Sequence, residues 1–412
     1  MTARPPSVCM LVFSYPPEST GGAEQQCRLQ ARELVRLGHD CLVLTTRRHR
    51  ATLRSEQGEG GEILRIRTAE AWLEIFRKSK LVSASSPVPA GTQPIIAGGS
   101  RPSFSARAVR WLNALLFMLG AARVLVCRRR CIDVIHAHGA DWHAGFAGWI
   151  GHMLSIPVVC KGANVPAFPD LAGIPFARLW AAWRKRVHFI ALTEAMRADL
   201  MASGVPADQI DVLPNGVELP EDVADPGAGA QVLHAANYTQ PAWNKAFDVL
   251  FAAWPLVARA CPQARLAAAG AGDVSRWELE LAAANARDTV DFVGYRTALA
   301  DWNRRAAVFV LPSRHEGISN ALLEAQGAGV PAVVSALPGN RAVAVDGATG
   351  SVVPAGDAEA LARALIRLLS DPDLRRRLGA AARRRMETEF GIAAVARQLS
   401  NLYGRLAVER RN

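Results

Sequence analysis

The chain has 412 residues, which is too long for one ordinary hydrophobic core and suits two domains. Half of its residues are hydrophobic and 21% are charged, which excludes an intrinsically disordered chain. Its formal net charge of +11 fits nucleic acid, an anionic membrane or a phosphorylated small molecule as a partner. Because the sequence has no helix-turn-helix, zinc-knuckle or RNA-binding aromatic motif, we predict no nucleic-acid partner.

The seven cysteines are scattered along the chain, and no pair has the spacing of a zinc site. Several of them lie in apolar segments, as packing residues do. The N-terminal residues lead directly into an apolar strand, without the hydrophobic core and cleavage site of a signal peptide. These features predict a reduced, cytoplasmic protein.

The first predicted unit is a strand over residues 8–13, a helix over residues 23–37 and a second strand over residues 41–45. Gly21 and Gly22 precede the helix, at the carboxyl edge of the sheet where such folds bind ligands. The loop lacks the Gly-x-Gly-x-x-Gly pattern, so the sequence does not predict a dinucleotide site.

Residues 47–110 have an irregular pattern, which predicts a mobile loop region. An apolar stretch follows over residues 111–127, but it is short for a membrane span and contains Arg123. Two interpretations stay open. The stretch is either a buried helix that ends in a solvated basic turn, or a helix on the inner leaflet whose arginines at 128–130 face anionic lipid.

A short strand over residues 131–139 carries His136 and His138 on one face, because side chains two positions apart in a strand point the same way. No third or fourth ligand is spaced to complete a metal site with them. The following strand, residues 156–161, ends in Lys161, whose ammonium group suits a phosphate or a sugar hydroxyl.

A Pro-, Gly- and acid-rich stretch separates two predicted α/β domains. We assign residues 1–218 to the first domain, 219–230 to a linker, 231–385 to the second domain and 386–412 to a C-terminal helix.

Lys245 lies just before a long predicted helix of the second domain. The alternative to a binding role is a solvated lysine at a helix start, where its charge opposes the helix dipole. That mismatch favours a phosphate-binding role. An Asp-x-Asp at residues 371–373 is interpreted as a turn and helix cap and not as a metal site.

The strongest pattern contains two carboxylates, Glu316 in a loop and Glu324 about one turn into a predicted helix. Residues 317–320 form a small polar turn between them, and the first amides of a helix together with its dipole attract anions. The simpler alternative is that Ser319 or Asn320 caps the helix and both glutamates are solvated.

This stretch resembles the donor-binding segment of the retaining group 1 glycosyltransferases, family 4 of the GT-B class. Their pattern is a glutamate, a Gly-x-Ser/Pro-Asn/x turn, a second glutamate eight positions on within a helix, and then Ala/Gly-Gly-x-Pro. The matching residues are Glu316, Gly317, Ser319, Asn320, Glu324, Ala325, Gly329 and Pro331. The resemblance covers nearly the whole chain. It implies an α/β fold of the GT-B class, with two doubly wound Rossmann-like domains that face each other across a cleft.

The resemblance also implies roles for individual residues. Glu316 holds hydroxyls of the transferred sugar and Lys245 meets the diphosphate. His138 and Lys161 line the cleft and complete the predicted catalytic set, with His136 on the acceptor side. The predicted donor-binding residues are Gly21, Gly22, Asn237, Gly317, Ile318, Ser319, Asn320 and Glu324.

Two departures from the family pattern bear on the site. Lys161 stands where the family often has a histidine, and a lysine is not expected to share the acid–base role of histidine at neutral pH. Asn237 stands where the family has an arginine, so Lys245 is left as one cation where two usually meet the diphosphate.

The implied activity is a retaining, metal-independent transfer of a sugar from a UDP- or GDP-sugar to a glycan or lipid-linked acceptor in polysaccharide or cell-surface glycan synthesis. No cofactor is implied. The protein is expected in the cytoplasm and, in the membrane interpretation of residues 111–130, at the inner face of the cytoplasmic membrane. The alternative is a catalytically impaired nucleotide-sugar-binding partner of a polysaccharide assembly complex.

Overall fold

The computed structural model describes residues 4–19, 21–49, 51–69, 104–139, 142–162, 182–183, 186–238, 242–296 and 298–410. They form two compact units. Unit 1 comprises the described residues up to Gly216 together with those from Ile392 onward, and unit 2 comprises Val217–Gly391.

Unit 1 is built on a sheet whose strand pairs are parallel except for that of β3 with β4. Its described strands are β1 (Val8–Leu11), β2 (Cys41–Arg47), β3 (Ser55–Gly58), β4 (Gly61–Arg67), β5 (Val134–His138), β6 (Val158–Lys161), β7 (His188–Ala191) and β8 (Ile210–Val212). Its first helices are α1 (Gly22–Arg36), α2 (Phe104–Cys127), α3 (Trp142–Leu154) and α4 (Glu194–Ala202). The strand order is β3-β4-β2-β1-β5-β6-β7-β8, which places β5 and β6 side by side near the middle. The central strands β1, β5 and β6 are buried throughout because both faces of the sheet are covered.

The prediction of an irregular loop over residues 47–110 is wrong for residues 55–67. These residues form β3 and β4, which pair antiparallel, and β4 then pairs parallel with β2. Along β4, buried Gly61, Ile63 and Arg65 alternate with more exposed neighbours. Apolar residues in the sequence do not show this alternation, because the buried positions include a glycine and an arginine. Residues 70–103 of that predicted loop lie outside the described residues.

Helix α2 confirms the predicted helix over the apolar stretch and begins seven residues earlier, at Phe104. One face is buried through Phe117, Ala121 and Leu125. Leu115 and Leu119 point away from the core and are 48% and 61% exposed. Within the described ranges, no helix combines the length and the apolar character that crossing a membrane requires.

Unit 2 is a second parallel α/β unit. Its described strands are β9 (Gln231–Ala235), β10 (Arg265–Ala269), β11 (Val290–Gly294), β12 (Ala306–Leu311), β13 (Ala332–Ser335) and β14 (Gly350–Val353). Its helices are α5 (Phe247–Ala260), α6 (Ser275–Ala283), α7 (Ala300–Arg305), α8 (Asn320–Gly327), α9 (Pro338–Val343), α10 (Ala358–Ser370) and α11 (Pro372–Arg385). The strand order β11-β10-β9-β12-β13-β14 places β9 and β12 at the centre.

Residues 219–230, assigned to a linker from their composition, lie within unit 2. Buried Arg375 on α11 donates to the carbonyls of Pro226 at 2.6 Å and Gly229 at 3.0 Å. Asp371 accepts from the amide of Leu374 at 2.8 Å, which confirms it as a helix cap.

The C-terminal part of the chain is divided between the units. Residues 386–390 form one π-helical turn in unit 2, and α12 (Ile392–Glu409) belongs to unit 1. Helix α12 packs on α1 and buries Leu399 and Tyr403 in the core of unit 1. This packing brings Tyr403 to the side chains of β5.

Candidate active site

The polar turn at the start of α8 is capped, as the simpler interpretation predicts. The hydroxyl of Ser319 accepts a hydrogen bond from the amide of Leu322 at 3.4 Å. The other part of that interpretation is wrong, because neither glutamate is fully solvated. The side chain of Glu316 is 13% exposed, and Glu324 is also partly buried.

Helix α9 packs closely against the backbone of this turn. A Cβ atom at Gly339 would collide with the carbonyl oxygen of Gly317, so only glycine permits this approach. The side-chain nitrogen Nδ2 of buried Asn340 donates to the carbonyl and the hydroxyl of Ser335, each at 3.1 Å. The hydroxyl of Ser335 donates in turn to the carbonyl of Ser313. The backbone around Glu316 is therefore fixed by contacts that need no ligand.

The structure brings Glu316 and Lys245 together. The ammonium Nζ of Lys245 donates to Oε2 of Glu316 at 2.7 Å. Lys245 ends a short 3₁₀ turn before α5 and is 33% exposed at its side chain, so it is not the freely solvated lysine of the alternative interpretation.

A second ion pair, which the sequence analysis missed, joins the loop that carries Glu316 to the segment that carries Lys245. The guanidinium of Arg314 donates to both oxygens of Asp248 at 2.7 Å, and the amide of Arg314 donates to the carbonyl of Asn244 at 2.8 Å. Arg314 and Asp248 are 66 positions apart, and no local pattern links them. Such bidentate pairs restrict orientation as well as distance.

Burial raises the pKa of the Glu324 carboxyl to about 7, and the nearby negative charge of Glu218 adds to the effect. Glu324 therefore changes its protonation state near neutral pH.

Asn237 is exposed, and its Oδ1 accepts from the amide of Ala271 at 3.0 Å. The neighbouring amide of Tyr238 donates to the carbonyl of Ala271 at 2.6 Å. Asn237 thus fixes the glycine-containing loop after β10, a role that the family's arginine position did not suggest.

In unit 1, the prediction that His136 and His138 share a face of β5 is confirmed. Their rings stack with centroids 4.3 Å apart, and Nδ1 of His136 lies 2.6 Å from the hydroxyl of Tyr403. Burial lowers the pKa of His138 to about 3 and that of His136 well below its usual value, and the charge of Lys161 contributes to both shifts.

Lys161 is the register partner of His138 on β6 and is 5% exposed. Its Nζ donates to the carbonyl of Pro214 at 3.5 Å. Burial lowers the pKa of Lys161 to about 7. The expectation that this lysine cannot take part in acid–base chemistry at neutral pH is therefore wrong, because desolvation removes its preference for the charged form.

Gly21 is the extended residue before α1, and a Cβ atom there would collide with the carboxylate of Glu24. The hydroxyl of Ser19 donates to the same carboxylate at 3.2 Å. Glu24 thus brings a negative charge to this helix start, which the sequence analysis did not notice.

Among the described residues, no three His, Cys, Asp or Glu side chains are arranged to hold a metal ion.

Comparison with known proteins supplies the context for these residues. A family model described as "Glycosyl transferase 4-like domain" matches residues 21–216, and one described as "Glycosyl transferases group 1" matches residues 229–371. The phosphatidyl-myo-inositol mannosyltransferase of Mycobacterium leprae is 30% identical over 67% of this chain and 74% of its own. The alpha-maltose-1-phosphate synthase of Mycolicibacterium smegmatis is 30% identical over 73% of this chain and 86% of its own. The crystal structure of HepE from Anabaena in complex with UDP and glucose superposes with a TM-score of 0.69 and 15% identity, over 97% of this chain and 99% of that one.

Proposed function

Because the chain belongs to the group 1 glycosyltransferases and has the GT-B fold, we propose that it moves a sugar from a nucleoside-diphosphate sugar to a glycan or lipid-linked acceptor. The observation that carries the donor assignment is the contact of Lys245 with Glu316 beside the capped start of α8. This contact places a cation that can bind a diphosphate beside a carboxylate that can accept hydrogen bonds from sugar hydroxyls. The name of the Mycobacterium leprae relative, a phosphatidyl-myo-inositol mannosyltransferase, supports a role in glycolipid synthesis.

The reaction that we propose retains the anomeric configuration and uses no metal ion. The bond between the anomeric carbon and the diphosphate breaks, and the acceptor oxygen bonds to that carbon from the same side. The proton of the acceptor hydroxyl goes to the departing phosphate oxygen. Lys245 and the helix start at residues 317–320 stabilise the negative charge that grows on the diphosphate. Glu316 orients the transferred sugar.

Glu324 is proposed to accept hydrogen bonds from the two ribose hydroxyls, for which a carboxylate offers two oxygens. In unit 1 we assign the loop at Gly21 and Gly22 to acceptor hydroxyls and not to the donor phosphate. The reason is that the carboxylate of Glu24 beside Gly21 would repel a phosphate and attract a hydroxyl donor.

Calorimetric titration with UDP-glucose, GDP-mannose and ADP-glucose, with and without EDTA, tests the donor site. We expect binding of one nucleotide family that survives EDTA, and affinity that falls as the pH drops through about 7. The sign follows from Glu324, because its carboxylate binds ribose whereas its protonated form, dominant below that pH, loses an acceptor. Below the transition the affinity should level off at the value of the protonated form, about tenfold or more weaker.

Glu324→Gln should flatten this pH profile at a uniformly weaker affinity. A wild-type profile without a step near pH 7 would remove Glu324 from the ribose site, and loss of binding in EDTA would reject the metal-free proposal. Binding without turnover on any acceptor would favour the nucleotide-sugar-binding partner.

We further propose that α2 rests on an anionic membrane surface. Its exposed face carries a stripe of apolar side chains that are 46–61% exposed, at positions three, four and seven apart as on one side of a helix. These side chains are Leu112, Leu115, Leu119 and Val126. Exposed Arg129 and Arg130 follow at the C-terminal end, where they suit anionic headgroups.

The double substitution Leu115→Glu and Leu119→Glu should lower co-sedimentation with phosphatidylglycerol vesicles by at least about tenfold, since two apolar side chains leave the interface and two negative charges enter it. Leu279→Glu is the matched control, because Leu279 on α6 is 73% exposed and lies in unit 2. Equal vesicle binding by the double variant and the wild type would reject the membrane proposal.

A further inference from the structure

Lys161 is a buried amine without a counter-charge. Its side chain lies at the carboxyl end of β6 and is 5% exposed. Among the described residues, no Asp or Glu forms an ion pair with it, and its one hydrogen bond is the 3.5 Å contact to the carbonyl of Pro214. An ammonium group has three protons to donate, and a buried charge is normally paired.

Two imidazole nitrogens beside Lys161 are equally short of partners. Nε2 of His136 and Nε2 of His138 are buried, and neither has a hydrogen-bond partner. His138 and Lys161 face each other in register on neighbouring parallel strands, and the stacked ring of His136 lies next to His138. Because more than nine in ten buried polar groups are satisfied, two unsatisfied imidazole nitrogens beside an ammonium that has no counter-charge indicate that something is bound there in the working protein.

The protonation of His136 suits donation. Tyr403 keeps its phenolic proton, since burial raises its pKa well above the usual value. When that hydroxyl donates to Nδ1 of His136 across the 2.6 Å contact, the imidazole carries its own proton on Nε2. The unpartnered atom is then a donor, and the side chain that carries it shares a face of the sheet with Lys161.

We propose that His136, His138 and Lys161 bind an anionic group of the substrate, either a carboxylate on a sugar or a phosphate. The inference rests on the proposed function and names the class of substrate that the glycosyltransferase takes. Such a group supplies the missing counter-charge and two or three acceptor oxygens at once. A neutral sugar hydroxyl would satisfy a hydrogen bond but would leave the ammonium unpaired.

Among the protein groups that face the anion, Lys161 alone changes its charge near neutral pH. Burial lowers the pKa of His136 and His138 and so keeps both imidazoles neutral. Burial raises the pKa of Tyr403 and of Cys27, which also faces Lys161, and so keeps these two groups neutral as well. With the pKa of Lys161 at about 7, the free site loses its charge as the pH rises above neutrality. We expect the affinity for an anion to fall by about tenfold per pH unit above that point.

Lysine NMR can read this site directly, because the chain of 412 residues has five lysines, at positions 78, 80, 161, 185 and 245. The protein is produced with ¹³C-labelled lysine, and Lys161→Met assigns the Lys161 signal. The signal is titrated from pH 5 to pH 11 with glucose, glucuronate or glucose 6-phosphate present. We expect an anionic sugar to raise the pKa of Lys161 by about one pH unit or more and glucose to leave it unchanged.

The two anionic probes distinguish the two sources, since a larger effect of glucuronate indicates a carboxylate and a larger effect of glucose 6-phosphate indicates a phosphate. No effect of either, or an equal effect of glucose, overturns the proposal. Lys245→Met should lose nucleotide-sugar affinity and retain the response of Lys161. Failure of this inference is therefore separable from failure of the proposed donor site in unit 2.

Discussion

Glu316→Gln is expected to lower turnover about ten- to hundredfold and to leave the affinity for the nucleotide sugar nearly unchanged. The carboxylate is 13% exposed, so it exchanges hydrogen bonds with a bound sugar in a largely dehydrated setting. A hydrogen bond to a charged group is worth about 1.5–3 kcal/mol, and about 1.4 kcal/mol corresponds to a factor of ten in rate. Glutamine keeps the shape and an oxygen for Lys245, so the change removes charge and not packing. Steady-state kinetics on the acceptor, with donor affinity from calorimetry, measure the effect.

The control for this variant is Glu359→Gln, because Glu359 lies in the same unit and its side chain is 79% exposed. Lys245→Met should instead weaken donor binding. In the double variant with Glu316→Gln, the loss of transition-state stabilisation, taken from kcat/KM, should be smaller than the sum of the two single losses because the residues are in contact. Unchanged turnover in Glu316→Gln, or additive losses in the double variant, would contradict the role assigned to this ion pair.

The parts of the site that could be predicted from the sequence are those that local chemistry determines. The helix after Ser319 is an example, since a capping hydroxyl and the spacing of buried side chains define its start without reference to distant residues. The shared face of His136 and His138 follows in the same way from the period of a strand. The two family models confirm the family assignment. It could be predicted from the sequence because its motifs lie in such local segments.

The remaining features depend on residues that are far apart in the chain. The pair of Arg314 with Asp248 needs β12 to lie beside the start of α5, which the order of strands decides. Lys161 was expected to be a permanent cation because its sequence neighbours do not reveal its burial. The helix that supplies Tyr403 to this site lies more than 200 positions later. Burial of this kind arises from tertiary packing, so a pattern read along one segment does not predict it.

A buried amine that serves a ligand should cost stability when no ligand is present, and Lys161→Met is expected to stabilise the protein. The pKa of Lys161 is lowered from 10.5 in the unfolded chain to about 7 in the folded one. Between these values the unfolded chain binds more protons, so wild-type stability should rise with pH across this window and should carry the full penalty below it. At about 1.4 kcal/mol per pH unit, the penalty is on the order of 4 kcal/mol at pH 7.

Urea unfolding of the wild type and Lys161→Met at pH 6.5, 8 and 10 measures this difference. We expect the advantage of the methionine variant to be largest at pH 6.5 and to shrink towards pH 10, because a methionine has no proton to lose. Lys245→Met is the control, since that lysine is partly exposed and paired, and its removal should not stabilise the chain. An advantage that grows with pH, or none at pH 6.5, would mean that Lys161 is not desolvated in solution. The predicted gain in stability together with loss of the anion response is the expected signature of a residue retained for binding.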